Sequence, residues 1–296
     1  MDNSEKAAFI IPVFNKYSFT EKCLLNLQPF NSKFDIIVVD DGSSDETSTR
    51  ISADFPWVHL LKGNGNLWWS GSINKGMEYA FRQLYSTYVI WWNNDIICAS
   101  DYMEQVELLT KLYGPHTVLG SKIYISGKEN IIWSMGGFFN RINGDKDMFG
   151  LNQPDSEEYC KPFSADWLPG MGTIISREIF NKTGLLNETD FPQYHGDSDY
   201  TLRALYAGFN IVVHPNLKIW NDKSSSGLMH NGHWSKLYES LISIRSNYNV
   251  KKELKFYKLH AQSIKAYRAL LLKYSKYIGG FLKWKLLGLF KIKKQH

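Results

Sequence analysis

The sequence predicts a doubly wound α/β fold: a mostly parallel central sheet with helices on both faces, followed by a C-terminal helical extension. Three observations carry this. Near-continuous apolar runs of strand length alternate with segments of helical spacing through the first hundred residues. Each run ends in polar or acidic residues rather than in a hairpin turn. From about residue 235 the strand pattern stops and helical periodicity continues to the end.

Taken in order, "AFIIPVF" (8–14) reads as the first strand and residues 18–27 as a helix, with Phe19, Cys23, Leu24 and Leu27 at helical spacing. "FDIIVVDDG" (34–42) is a second buried strand ending in carboxylates, and 45–51 a short helix. "WVHLLKG" (57–63) reads as a third strand and 70–84 as a helix carrying Ile73, Met77, Ala80, Phe81 and Leu84 on one stripe. "YVIWW" (88–92) is the fourth strand. Beyond it the rhythm loosens: 101–112 reads helical, 117–125 and 130–139 as strands, and 140–163 as loop. "GDSDYTLRALYAG" (196–208) has an acidic start and a glycine stop, the marks of a helix, and "FNIVVHP" returns to strand.

With 296 residues, 44% of them hydrophobic, the chain is long enough to bury a large core. No apolar run approaches the length of a transmembrane helix, and the opening "MDNSEKAAFI" lacks the basic and apolar regions of a signal peptide. Cys23, Cys98 and Cys160 are far apart and odd in number, which fits reduced thiols better than a disulfide framework. A cytoplasmic location is expected. Net charge is +5, but residues 251–296 carry thirteen basic residues against the single Glu253, a balance of +12. The remainder, with 21 basic and 28 acidic residues, stands at −7. An acidic body without a recognition module argues against nucleic acid as a partner.

In a doubly wound sheet, ligands bind outside the carboxyl ends of the strands. Asn15 follows strand one, Asp40 and Asp41 strand two, "KGNGN" (62–66) strand three and "NND" (93–95) strand four, so all four sets converge on one edge. Singly, each also reads as turn chemistry or a helix cap. There is no GxGxxG after the first strand and no GxxxxGK[ST], which disfavours dinucleotide and P-loop sites. The remaining chemistry is a site of carboxylates and amides. Asp40 and Asp41 can accept from a base N–H and from ribose hydroxyls. The glycines of "GNGNLWWSGS" allow close backbone approach to a phosphate. Asp95 is a hard oxygen ligand for Mg²⁺ or Mn²⁺.

"IIPVFN", "IIVVDDGSSDET", "GNGNLWWSGSINKG", "WWNND", "DWLPGMGTIISREIF" and "HGDSDYTLRALYAGF" together resemble the family 2 glycosyltransferases of the GT-A, Rossmann-like fold, over roughly residues 7–225. Within that family the chain is most similar to bacterial rhamnosyltransferase-like members that build surface polysaccharides. The resemblance implies an inverting, metal-dependent transfer of a sugar, rhamnose by that likeness, from a nucleotide-sugar donor to a glycan or glycolipid acceptor. Pro12 and Asn15 would line the base pocket, Asp40 contact the base and Asp41 the ribose. Gly65, Asn66, Trp68 and Trp69 would flank the nucleotide, with Asn93 and Asn94 beside it. Asp95 would hold the metal, as the surviving carboxylate of the family's DXD motif. Asp197 falls at the position of the catalytic base, with Asp199 supporting it. Trp167, Gly170 and Met171 would meet the sugars. Without the family likeness, Asp197 or Asp199 reads as a helix cap; with it, Asp197 reads as the proton acceptor an inverting transfer needs.

Two positions depart from the family pattern. Gly196 stands where many relatives carry Glu, and Asn221 stands near the place of a metal-binding His, with His214, Asp222, His230 and His233 around it. These departures keep open a second reading, a catalytically silent sugar-nucleotide or glycan-binding module. A nucleotidyltransferase would need a Gly- and Arg-rich loop where the chain has "PVFNKYSF".

The expected domains are 1–234, the transferase (1–100 nucleotide-binding, 101–234 acceptor and catalytic), and 235–296, a basic amphipathic extension. Residues 264–296 combine apolar residues at spacings of three and four with lysines, a pattern that suits an anionic membrane surface or, equally, packing on the body.

Overall fold

The structure, a computed structural model, describes residues 6–222 and 233–292. The described chain divides into two compact units. One runs to residue 138 and resumes at 148 as far as 222; the other takes in 139–147 and the residues from 233 onward.

In the first unit, β1 (Ala7–Val13), α1 (Tyr17–Leu27), β2 (Asp35–Asp40), α2 (Thr47–Asp54), β3 (His59–Lys62), α3 (Trp68–Arg82) and β4 (Tyr88–Trp91) follow one another as expected. Then come β5 (Ile96–Cys98), α4 (Tyr102–Tyr113), β6 (Thr117–Ile125), β7 (Lys128–Ser134), β8 (Gly137–Phe139) and β9 (Lys146–Met148), of which Phe139 and residues 146–147 belong to the second unit. β10 (Phe163–Ser164), β11 (Thr173–Ser176), α5 (Arg177–Thr183), α6 (Gly196–Tyr206) and β12 (Asn210–Asn221) complete it.

The main sheet has the path β10-β12-β6-β11-β4-β1-β2-β3, with β5 on β12 and β7 on β6. β3, β2, β1 and β4 are mutually parallel, which is the doubly wound half. Beyond that half the sheet is mixed, with β12 parallel to β6 and the other pairings antiparallel. β11 lies antiparallel to β4 and to β6, and β5, β7 and β10 also pair antiparallel. The cause is connectivity: β11 follows β10 through residues 165–172, and no α-helix lies between β6 and β11 to make the crossover that a parallel pairing needs.

Successive strand residues serve opposite faces, as the pleat requires. Phe9, Ile11, Ile36, Val38 and Trp92 enter the core on one side; Ala8, Ile10, Ile37, Val39 and Trp91 enter it on the other. The apolar runs are therefore buried on both faces, and only their carboxyl ends reach polar surroundings. Register aligns those ends: Val13 faces Asp40, Asp40 faces Lys62, Ile10 faces Trp91, and Trp91 faces Thr173.

The second unit contains α7 (Trp234–Ile242), α8 (Val250–His260) and α9 (Ile264–Ile292). Its core is aromatic: Phe139 meets Phe256 and Tyr257 edge-on, and the Tyr257 hydroxyl donates to Gly144 O at 2.6 Å.

Candidate active site

At the aligned strand ends, two adjacent carboxylates, Asp40 and Asp41, organise the loops. Asp40 is buried, and its oxygens accept from Ser43 N–H at 2.9 Å, from the Ser43 hydroxyl at 2.6 Å and from the Ser48 hydroxyl. Asn15 extends this knot. Its N–H donates to Ser43 Oγ at 2.6 Å, and its side-chain oxygen accepts from Ser44 N–H at 2.8 Å. Pro12 stays within β1, opposite Val39. Asp40 thus shapes the β2 loop and has little acceptor capacity left.

Asp41 holds the next loop. Oδ1 accepts from Gly65 N–H at 2.9 Å and Oδ2 from Trp68 N–H at 2.8 Å, so this one side chain fixes the path from β3 into α3. Gly65 has φ +86, and Gly42 opposite it has φ +78. A Cβ on Gly42 would stand 3.0 Å from Gly65 backbone, so the two loops touch through glycines. Asn66 is exposed beside them. Of the six described non-glycine residues at positive φ, Asn15, Lys16 and His195 lie in loops at this edge and Trp68 opens α3 there. Such strain gathers where a loop is shaped for a ligand.

The asparagines of the triplet divide. Asn94 donates to Thr20 Oγ1 at 3.0 Å, away from the edge. Asn93 accepts from Trp69 Nε1–H at 2.9 Å. The Trp69 indole in turn lies against Gly170, where a Cβ would meet its ring at 2.2 Å. Gly170 N–H donates to Asp197 Oδ2 at 2.9 Å, and Ser198 N–H to Oδ1 at 2.7 Å. Asn93, Trp69, Gly170 and Asp197 are thereby one continuous chain of contacts from β4 to α6. Leu168 N–H, donating to Thr201 Oγ1 at 3.1 Å, stitches the same loop to the same helix.

Asp199 points elsewhere: it is buried and accepts from Arg203 Nε at 2.9 Å, a helical ion pair within α6. Trp167 is buried, with its indole N–H on Phe138 O at 3.2 Å, and Met171 lies in the core. Gly196 has a structural explanation. A Cβ there would stand 2.2 Å from Ser70 Oγ and 3.1 Å from Phe191 O, so no side chain fits between α6 and the start of α3.

Asp95 follows β4, and β5 then pairs with β12 so that Asn221 faces Ile96. This brings Asp222 against Asp95: Asp222 N–H donates to Asp95 O at 3.1 Å. Asp95 Oδ1 is buried and accepts no hydrogen bond. Burial pushes the Asp95 carboxyl up to about 6; Asp222 adds to the rise and Lys16 opposes it. A buried carboxylate oxygen without a donor, beside a second carboxylate, suits a hard divalent cation. Among the described residues, no group of three or more His, Cys, Asp or Glu is assembled for a metal. His214 lies back along β12 against Tyr113, His233 begins the second unit's helices, and His230 is outside the described residues. Lys16, Ser43, Ser70 and the Trp69–Gly170 contact escape sequence reading. Only the left-handed turn after β1, implied by Asn15 between a strand and a helix, could have pointed to Lys16.

Comparison with known proteins places this arrangement. A curled mixed sheet with carboxylates and amides at the parallel strand ends is a GT-A-like architecture, and solved structures share it. TarS of S. aureus superimposes with a TM-score of 0.51 at 16% identity over 73% of this chain and 60% of that chain. GalNAc-T7 with UDP, GalNAc and Mn²⁺ gives 0.58 at 11% identity over 93% and 58%. Residues 8–168 match the family model described as glycosyl transferase family 2, and the chain belongs to that family. Among curated relatives, the low-salt glycan biosynthesis hexosyltransferase Agl10 of Haloferax volcanii is 28% identical over 60% of this chain. An uncharacterized glycosyltransferase of Rickettsia conorii is 24% identical over 61%. The matched segments cover 55% and 28% of those two proteins' lengths.

Proposed function

We propose that this glycosyltransferase moves a sugar from a nucleoside-diphosphate donor to a hydroxyl of a bacterial surface glycan or lipid-linked oligosaccharide, with inversion at the anomeric carbon. Rhamnose is the sugar its sequence likeness favours. The observation that supports this best is the contact chain from Asn93 through Trp69 and Gly170 to Asp197, which fixes one carboxylate relative to the donor edge.

Asp197 acts as the general base. Each of its oxygens accepts one backbone N–H and keeps a further lone pair for the acceptor hydroxyl. Asp41 sets the Gly65–Trp68 loop along which the nucleotide lies, while Asn15 and Asp40 shape the loop beside the base. Asp95 and Asp222 hold Mg²⁺ or Mn²⁺, with phosphate and water oxygens completing its coordination. When bound, the cation offsets the charge that develops on the departing diphosphate. Lys16, close enough to Asp95 to favour its anion, adds a protein cation at the same edge. The protein works at the cytoplasmic face of the membrane, meeting its anionic surface through 264–296.

The test is a calorimetric screen of nucleoside diphosphates with Mn²⁺ or Mg²⁺, followed by nucleoside diphosphate release from the matching sugar donor and a glycan acceptor. Asp197→Asn should abolish release and leave nucleotide binding within about twofold, since the amide keeps the shape but cannot take a proton. Turnover by that variant would remove Asp197 as base. Tight binding without any release by the wild type would instead support the silent binding module.

A further inference from the structure

α9 carries two apolar stripes, and only one of them is used inside its own unit. Ala266, Leu270, Tyr274 and Phe281 recur at close to whole helical turns and are buried. They pack on α7 and the turn that leads into α8: Phe281 meets Trp234 edge-on at 4.8 Å, and the Tyr274 hydroxyl donates to Tyr248 O at 3.1 Å. Tyr277, on the same side, stacks on Tyr248 at 3.9 Å.

The second stripe is Ile264, Leu271, Leu282 and Leu286. It also repeats at near-whole turns and lies about a third of a turn round the helix from the first. All four residues are exposed, Ile264 at 73% and Leu271 at 68%. One residue further round, Lys265, Lys276 and Lys283 recur at whole turns and form a third, exposed stripe. The helix contains no Asp or Glu. Lys273 stands apart from this set, ion-paired with the buried Glu253 at 2.9 Å.

We propose that the Ile264–Leu271–Leu282–Leu286 stripe docks onto an anionic lipid bilayer, with α9 lying in the plane of the interface. This rests on the membrane reading above and names the face that meets the lipid. Charge selects the occupant. An all-basic helix pressed against a second copy of itself would set lysine against lysine, whereas anionic headgroups neutralise the row while the leucines enter the acyl boundary. No described helix is long and apolar enough to cross a membrane, so this one lies on it.

The experiment is co-sedimentation of the full chain with phosphatidylcholine vesicles, with and without phosphatidylglycerol. Wild type should pellet only with the anionic vesicles. Leu271→Ser and Leu282→Ser should each weaken binding about tenfold, and each of Lys265→Gln, Lys276→Gln and Lys283→Gln about fivefold. Leu108→Ser, at an exposed leucine of α4, should change nothing. Circular dichroism checks that the exposed-site variants stay folded. If wild type ignores phosphatidylglycerol, the membrane reading itself fails. If it binds but the leucine variants bind equally, or Leu108→Ser loses as much, this face is wrong. A dimer that the same leucine variants dissolve, without vesicle binding, would overturn lipid in favour of a second copy.

Discussion

The indole N–H of Trp69 donates to Asn93 Oδ1 at 2.9 Å while Cζ2 and Cη2 of the same ring lie 2.2 and 2.3 Å from where a Gly170 Cβ would be. One side chain thus touches both the end of β4 and the loop whose amide holds Asp197. Misplacing a reacting group by about 1 Å can cost on the order of 100-fold in rate. Gly170→Ala, which forces the ring or the loop aside, should therefore lower kcat about 100-fold while nucleotide affinity changes little. Trp69→Phe keeps a ring but loses the bond to Asn93 and should fall between. Steady-state kinetics beside calorimetry separates the two effects; an equal loss of nucleotide affinity would refute a role confined to the base loop.

Asp41 makes two hydrogen bonds to backbone amides that no neighbouring side chain replaces in kind. In Asp41→Asn the NH₂ group would confront either Gly65 N–H or Trp68 N–H, donor against donor. The expected loss is about 2–4 kcal/mol of stability, since bonds to a charged acceptor are the stronger kind and an orphaned amide adds its own cost. Urea denaturation measures it. Nucleotide affinity should fall with it, because the loop from Gly65 to Trp68 loses its shape.

Much of this edge is legible in the sequence, and the reason is local. Strand runs ending at Asp40, Lys62 and Trp91 declare their own carboxyl ends, and parallel register then aligns them. What sequence cannot declare is contact between distant segments. The Trp69–Gly170 and Gly196–Ser70 packings join residues about a hundred positions apart or more, and nothing in either segment alone signals the other. β5 has three residues, too few for periodicity, yet its pairing with β12 is what sets Asp222 beside Asp95. Trp167 and Met171 show the opposite case. Their aromatic and flexible character suits a sugar site, but burial in the core satisfies it equally.

Gly196 offers a test of that long-range packing. Gly196→Ala should destabilise the fold by about 1–3 kcal/mol through overpacking against Ser70 Oγ. Ser70→Ala removes the clashing oxygen, together with its bond to Phe191 O at 2.6 Å. The double variant should then be more stable than the sum of the single losses predicts, a coupling that a double-mutant cycle reads directly. Strict additivity would mean that Ser70 does not dictate the glycine.

Asp95 predicts an unusual pH dependence. Its carboxyl is raised from 3.8 to about 6, chiefly by burial. The unfolded chain releases this proton near 3.8 and the folded chain only near 6, so between those values the native state binds more protons. Stability attributable to this group therefore falls as pH rises through that window, and above 6 the full cost stands. A shift of that size corresponds to about 3 kcal/mol. Asp95→Asn removes the charge and should make the cation-free protein more stable than wild type above pH 6, with the difference shrinking towards pH 3.8. Added Mn²⁺ should raise the melting temperature of wild type above that pH and leave the variant unmoved, because only a carboxylate both bears the cost and recovers it on binding the cation. Thermal melts across the pH range, with chelator and with Mn²⁺, measure both. A variant no more stable than wild type at high pH would show that the buried oxygen of Asp95 carries no uncompensated charge.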